Sequence, residues 1–502
     1  MDVAPSATAT DAEIATDHGQ PKTATRRTGR KGPQSPRVRT AIERAARRPV
    51  KLGQRWRLIQ AMIELSAKAG HNDVSIAELC AGAGVSSMTF YAEFADKEEL
   101  FVAAYRSCAE RVFGPMRAAL FDGELAQVPA LALRAMFEAI AEDPEAGRIV
   151  FVEALGGGQR MVAARSDTFA RFEARVAQYL EQAPKDALTL DVPVAAVAGA
   201  LRHIVARHLR RRSEDELPAL VDKGLRWLAS YARAPGAERW STSDRAVRGV
   251  VATHPVPTPV PAMPERLPPG RHGLPPALVV RSQRTRILLA TAQVTMESGY
   301  AAARVEDIVA RAKVAKPVFY EHFSDKRQAF LEAQQYPTQF VLDRCALAYF
   351  SGAGWPQRMW RMLEVLLELI AANPAISHLR LVECYSAGPE AIRRAEEITR
   401  SFTIFMEEGY LYREQSRGLP RLCSQAIAGA IFEIVQRDAE TGELATLGAR
   451  LPQLVYIAIA PFTGAQEAIG LVEGMKASEA ARTQAGRQGS RAGSKSPVHD
   501  DH

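Results

Sequence analysis

Leu58, Ile59, Met62, Ile63 and Leu65 recur at helical spacing and give one apolar face to a segment that Gly70 is placed to stop. Ser75-Ile-Ala-Glu78 has the form of a capping box, so a short second helix is predicted with Ile76, Leu79 and Cys80 inward, before Gly82-Ala-Gly84 turns the chain. Val85 is expected to plug that turn, and Ser86 to cap a third helix whose Phe90 and Phe94 point back to the core. Asp96-Lys-Glu-Glu99 is another capping box and opens a fourth helix through Leu100, Phe101, Ala104 and Cys108. Two short helices about a tight turn, braced by a longer one, form a helix-turn-helix. On that reading the polar or adaptable Ser87, Met88 and Thr89 face a groove, and the aromatics behind them hold the helix. The alternative for a single occurrence is a hairpin within any helical bundle.

The pattern occurs twice. Shifted by 229 positions, Arg55–Phe101 aligns with Arg284–Phe330 without a gap, and 13 of the 47 positions are identical. They include Val85, Phe90, Tyr91, Phe94, Asp96 and Lys97. Further on the shift becomes 230, where Val152-Glu153 answers Val382-Glu383 and the segment at Val197 answers that at Ile427. The whole unit is therefore duplicated. Both halves are rich in Ala, Leu and Glu with helical periodicity, so the predicted class is all-α. Ten prolines fall between Pro235 and Pro276, a density that suits only an extended spacer. The expected order is a basic arm (1–50), head 1 (51–110), body 1 (111–234), linker (235–280), head 2 (281–332), body 2 (333–474) and a disordered tail (475–502).

At Gly70, Ser75-Ile76-Ala77, Ala83-Gly84-Val85-Ser86, Phe90-Tyr91, Phe94 and Lys97 the sequence resembles the TetR family of bacterial regulators. The resemblance covers about 47 residues in each copy, and the helical regions beyond match in length and character only. It implies two TetR-like units, each a three-helix head that binds double-stranded DNA and a helical body that dimerises and holds a small-molecule effector. It further implies that Ser75, Ser86, Ser87, Met88 and Thr89 lie at the DNA, facing bases or phosphates, and that Tyr91 and Lys97 hold the backbone. Head 2 departs from the pattern. Arg304 replaces the capping Ser, Lys313-Val-Ala315 replaces Gly-Val-Ser, and Val318 replaces Thr89. Lys316 and Arg304 add charge, Pro317 fits the first turn of its helix, and Tyr320, His322 and Lys326 retain the set expected at phosphates.

Charge sharpens the picture. The formal net charge is +7, yet Pro21–Arg57 carries thirteen Lys and Arg against Glu43 alone, so that segment holds +12 and the remainder −5. A basic arm ahead of a folded head suits a phosphate backbone or a minor groove, or serves as a solubilising tail. No apolar run approaches the roughly 18 residues of a membrane helix, and the expected location is cytoplasmic, with no membrane partner. Cys80, Cys108, Cys345, Cys384 and Cys423 are scattered and read as buried thiols. The Leu155–Arg160 glycines lack the preceding strand and Lys of a nucleotide loop and read as a helix break. His203 and His208 lie five apart with no completing carboxylate, so no metal or cofactor is expected. Trp355, Trp360, Tyr385, Phe402 and Phe405 could line an effector pocket, with ordinary core the favoured alternative. The expected function is a sequence-specific regulator, a repressor, that pairs its own two bodies or forms a homodimer. The rivals are a DNA-binding interaction protein with degenerate heads and, third, an enzyme, for which no catalytic pattern is present.

Overall fold

The structure, a computed structural model, describes residues 36–122, 128–182, 189–190, 192–233, 263–266 and 273–493. By its contacts the chain divides at Gly53, and both repeats lie in the unit from Gln54 onward. Repeat one comprises α1 (Pro36–Ala69), α2 (Ile76–Ala83), α3 (Ser87–Glu93), α4 (Lys97–Asp122), α5 (Val128–Glu142), α6 (Pro144–Phe151), α7 (Gln159–Gln182), α8 (Val194–Arg211) and α9 (Val221–Ala229). Repeat two opens with α10 (Pro276–Ala302), α11 (Val305–Ala312), α12 (Lys316–His322) and α13 (Lys326–Gln335). It continues with α14 (Thr338–Phe350), α15 (Trp355–Ala372), α16 (Pro374–Leu381), α17 (Pro389–Ser401), α18 (Leu422–Glu440), α19 (Leu451–Thr463) and α20 (Ala465–Gly493). The fold is all-α apart from a two-residue antiparallel pair, Thr189–Leu190 with Ala232–Arg233.

The local rules act as expected in head 1. Gly70 stops α1 at φ +89°, Ser75 and Glu78 complete their capping box, and Gly84 closes α2 in the left-handed region at φ +60°. Leu58, Met62, Leu79, Phe90, Phe94 and Leu100 are fully or almost fully buried. Head 2 repeats this core with Ile287, Ile308, Phe319, Phe323 and Phe330. The turn after its second helix needs the same left-handed residue, and there Lys313 takes φ +51°.

Four boundaries differ from those expected. The head–body border at 110 falls inside α4, which runs on to Asp122 because nothing breaks its pattern, Pro115 included. Head 2 begins at Pro276 and not at 281: proline is tolerated at a helix start, where its missing N–H would be unpaired anyway. The stretch after 474 continues as α20 to Gly493, held in part by Arg361 and Glu479 at 3.3 Å. Residues 36–50 of the expected arm are helical, while 1–35, most of the linker and 494–502 lie outside the described residues. Among the described residues one stretch, Leu444–Thr463, is long and apolar enough to cross a membrane, contrary to the expectation of none. Two thirds of it is buried inside the bundle, so core packing accounts for its composition.

The two bodies meet along α8 and α18 in a pseudo-symmetric seam. Gly199 lies against Glu433, and Gly429, 230 positions after Gly199, lies against His203, 230 positions before Glu433. Residue i meets j and the equivalent of j meets the equivalent of i, the signature of a two-fold contact. A Cβ on Gly429 would stand 2.6 Å from His203 Cβ, so only glycine lets the helices approach this closely. Arg202 bridges Glu433 and donates to Gln436 at 2.9 Å. Burial works against the Arg202 charge, and Glu433 more than restores it, leaving the guanidinium pKa raised. Around this centre Arg165 pairs with Glu440 at 2.5 Å, Arg437 with Glu173 at 2.7 Å, and the Tyr231 hydroxyl donates to the Ile457 carbonyl at 2.8 Å.

Candidate nucleic-acid interface

In head 1 the recognition helix is fixed from behind. Phe90 is fully buried and meets Phe94 at 6.3 Å between ring centroids, while Arg55 lies 4.1 Å over the Phe94 ring and donates to the Glu93 carbonyl at 2.6 Å. Arg57 reaches the Gly84 carbonyl at 3.4 Å. These anchors leave a row of side chains outward on the short helix. Met88 is 82% exposed and Tyr91 60% exposed, and Ser87 is exposed beside them. Neither Ser87 nor Tyr91 makes a side-chain hydrogen bond among the described residues, so both are free to meet a ligand.

The other hydroxyls are already engaged. Ser75 Oγ accepts from the Glu78 amide at 3.2 Å and donates to the Glu78 carboxylate at 2.7 Å. Ser86 Oγ accepts from the Thr89 amide at 3.1 Å and lies 3.0 Å from Thr89 Oγ1. Ser75 and Ser86 are thus helix starts first, and the Thr89 hydroxyl is tied back to Ser86.

Lys97 and Lys326 turn to the protein's own carbonyls. Lys97 Nζ donates to the carbonyls of His71, Asn72 and Val74 at 3.1, 3.2 and 3.0 Å. Lys326 Nζ does the same to Tyr300, Ala301 and Ala303 at 2.8, 3.2 and 2.9 Å. An ammonium has three donors, and all three are spent on the carbonyls that follow the positive-φ glycine, Gly70 in head 1 and Gly299 in head 2. Burial holds both lysines below their ordinary pKa. Without DNA they are clasps of the head. His322 is likewise directed inward: its Nε2 lies 3.1 Å from Gln283 Oε1, and burial followed by the nearby Arg284 lowers its pKa.

Head 2 presents exposed Lys316, Pro317 and Tyr320, with Val318 half-buried. Its added charges are paired, Lys316 with Glu306 at 2.6 Å and Arg304 with Asp307 at 3.1 Å. Exposed pairs of this kind are weak, so a phosphate can displace the carboxylate. Arg284 and Arg286 repeat the anchoring of the first head, on the His322 and Ala312 carbonyls at 3.5 and 2.9 Å. The positioning arginines had a signal in the sequence, since Arg55 and Arg57 are identical in both copies.

Each head is tied to its own body through one carboxylate. Glu153 accepts from the His71 amide at 3.0 Å, and His71 stacks flat on Phe101 at 4.4 Å. Glu383 accepts from the Tyr300 amide at 2.9 Å in the equivalent place. In repeat one Arg160 adds a bridge to Asp96 and Glu98, at 2.5 and 2.9 Å, directly after the glycine run. That run breaks the helix as expected, and a Cβ on Gly158 would meet the Glu98 carboxylate at 2.4 Å, a contact that a shift of that side chain relieves. Glu153 and Glu383 are identical in the two copies at the shift of 230, but that pattern does not show their partners, because each tie joins residues more than sixty positions apart.

Two helix-turn-helix heads with outward recognition helices have the form of a DNA-binding module. The family model described as bacterial regulatory proteins, tetR family, matches residues 58–104 and again 287–333. The chain carries the TetR family's DNA-binding head twice. Among curated proteins, the HTH-type transcriptional activator FasR of Mycolicibacterium smegmatis is 23% identical over 157 residues, which is 31% of this chain and 60% of that protein's length. Among solved structures, FadR of Bacillus subtilis in complex with stearoyl-CoA is 18% identical, with 36% of this chain and 99% of that one covered at a TM-score of 0.33. The fatty acid degradation regulator FadR from Bacillus halodurans is 17% identical, with 35% and 94% covered at a TM-score of 0.32.

Proposed function

We propose that one chain acts as its own dimer and regulates transcription at an asymmetric operator in the cytoplasm. The carrying observation is the α8–α18 seam, in which two equivalent glycines admit two equivalent partners and Arg202 and Glu433 pair across the join. Relatives that pair identical heads require palindromic sites. Here the recognition segments differ, Ser87-Met88-Thr89 against Pro317-Val318 with Lys316, so the two half-sites differ too. Ser87, Met88 and Tyr91 make the contacts of head 1, and Lys316, Pro317 and Tyr320 those of head 2. Binding occludes the promoter, and a small effector held in a body releases it.

Selection of bound fragments from random DNA, with light scattering on the intact chain, tests this reading. It expects one bounded, non-palindromic site and a mass near 54.8 kDa at low micromolar concentration. A stable mass near twice that value overturns the self-contained dimer. Binding that leaves no bounded footprint at moderate salt overturns sequence-specific recognition in favour of general DNA affinity.

A further inference from the structure

The bodies differ inside. In repeat one, Phe113 meets Phe151, Phe169 and Phe172 at 5.8, 6.1 and 6.1 Å and fills the interior. At the positions 230 later, Phe151 becomes Leu381, Phe169 becomes Thr399 and Val150 becomes Arg380. Repeat two is hollow there: a cavity of about 140 Å³ is walled by Met362, Leu366, Ile370, Phe402, Met406 and Ile431 among others. Of the five aromatics noted in the sequence, Phe402 alone lines it.

The polar residues at its wall decide what it takes. Asn373 and Ser377 donate to the Leu369 and Ile370 carbonyls at the end of α15, both at 2.9 Å, and Thr399 donates to the Ala395 carbonyl of its own helix at 3.0 Å. Arg380 also lines the cavity, yet it makes no hydrogen bond or ion pair among the described residues. Burial brings its pKa down to about 10, so it stays charged at neutral pH. An unpaired guanidinium against apolar walls is costly and matches a carboxylate in charge and geometry. A cavity near 150 Å³ holds about a benzene ring, so this one accommodates roughly six to eight carbons.

We propose that this cavity binds a medium-chain carboxylic acid, tail among the methionines and leucines and carboxylate on Arg380, with one site per chain in repeat two only. The proposal names the ligand class of the effector reading above and rests on it. Arg380 stands three residues before Glu383, the carboxylate that holds the Tyr300 amide of head 2. A ligand drawing on Arg380 therefore acts one helical turn from the tie between body and head.

Titration calorimetry on the full chain with octanoate, octan-1-ol and octanoyl-CoA tests it. Octanoate should bind once per chain and more tightly than octan-1-ol. Arg380→Met should weaken octanoate roughly tenfold to a hundredfold and leave octan-1-ol unchanged. Thr399→Phe, which copies the filling of repeat one, should abolish both and serves as the second variant if Arg380→Met does not fold. No octanoate binding, two sites per chain, or an unchanged octanoate affinity in Arg380→Met overturns the proposal. So does a preference for octanoyl-CoA, whose thioester has no carboxylate for Arg380. Ligand-free DNA binding measured on the same samples fails or holds separately, so loss of the regulator reading and loss of this site are distinguishable.

Discussion

The two heads reach one shape from unequal local instructions. Head 1 has a complete capping box at Ser75, a hydroxyl cap at Ser86 and glycine at its left-handed turn. Head 2 has Arg304 and Ala315 at the same caps, neither with a side-chain cap bond, and lysine in the left-handed turn. What they share is the buried Phe pair, the arginine over its ring, and a lysine with its three donors on three carbonyls. Caps are each worth about 1 kcal/mol and a buried phenylalanine about 3–5. The core and clasp therefore set the shape, and the surface of head 2 is left free to diverge.

The comparison breaks first at the core. Phe90→Ala and Phe319→Ala should each cost about 3–5 kcal/mol in urea unfolding, because both rings are fully buried. A much smaller cost in head 2 would mean that its core does not substitute for its missing caps. Lys97→Ala and Lys326→Ala should come next, near 2 kcal/mol each, since hydrogen bonds to a charged group contribute about 1.5–3. Equal losses of stability in the two variants, measured by thermal melting, identify a shared clasp. Unchanged stability with uniformly weaker DNA binding would restore the phosphate role.

The seam offers a sharper asymmetry, because His203 and Glu433 occupy equivalent positions in the two repeats. Burial, then Arg210, Arg202 and Arg207, pushes the His203 pKa down to about 3 from an ordinary 6.5. A depressed folded-state value means that the unfolded chain binds the proton more readily, so this contribution to stability is present above pH 6.5 and falls as pH drops. The loss should approach about 2 kcal/mol at pH 5, at 1.36 kcal/mol per unit, and His203→Gln should flatten the pH profile in that window. An identical slope in wild type and variant would sink this assignment. The smallest effect belongs to the turn. Lys313→Gly should gain about 1 kcal/mol and Gly84→Lys should lose a similar amount, because a side chain is disfavoured in the left-handed region. Differential scanning calorimetry of both variants checks the opposite signs.

The head was legible because its signals are local. A stop glycine, a capping box and aromatic spacing all act within a few residues, and the second copy at a fixed shift removed the ambiguity of one short motif. The same reading extended to the glycine run after Leu155, where backbone chemistry alone decides. It went astray where a residue's partner is distant. Lys97 looked like a phosphate contact because nothing nearby in sequence shows that the carbonyls of His71, Asn72 and Val74 converge on it. The region after 474 looked like a tail because its composition is polar, whereas α20 is held from Arg361.

The sequence by itself determined the duplication, the helical class and the two heads, since period, caps and turn residues are properties of neighbouring positions. The tertiary structure decided which face of each body meets the other, that Gly199 and Gly429 exist to admit Glu433 and His203, and that one body is filled with phenylalanine while its copy is hollow around an unpaired Arg380. Those outcomes depend on volumes and charges brought together across hundreds of residues, and no local pattern encodes them.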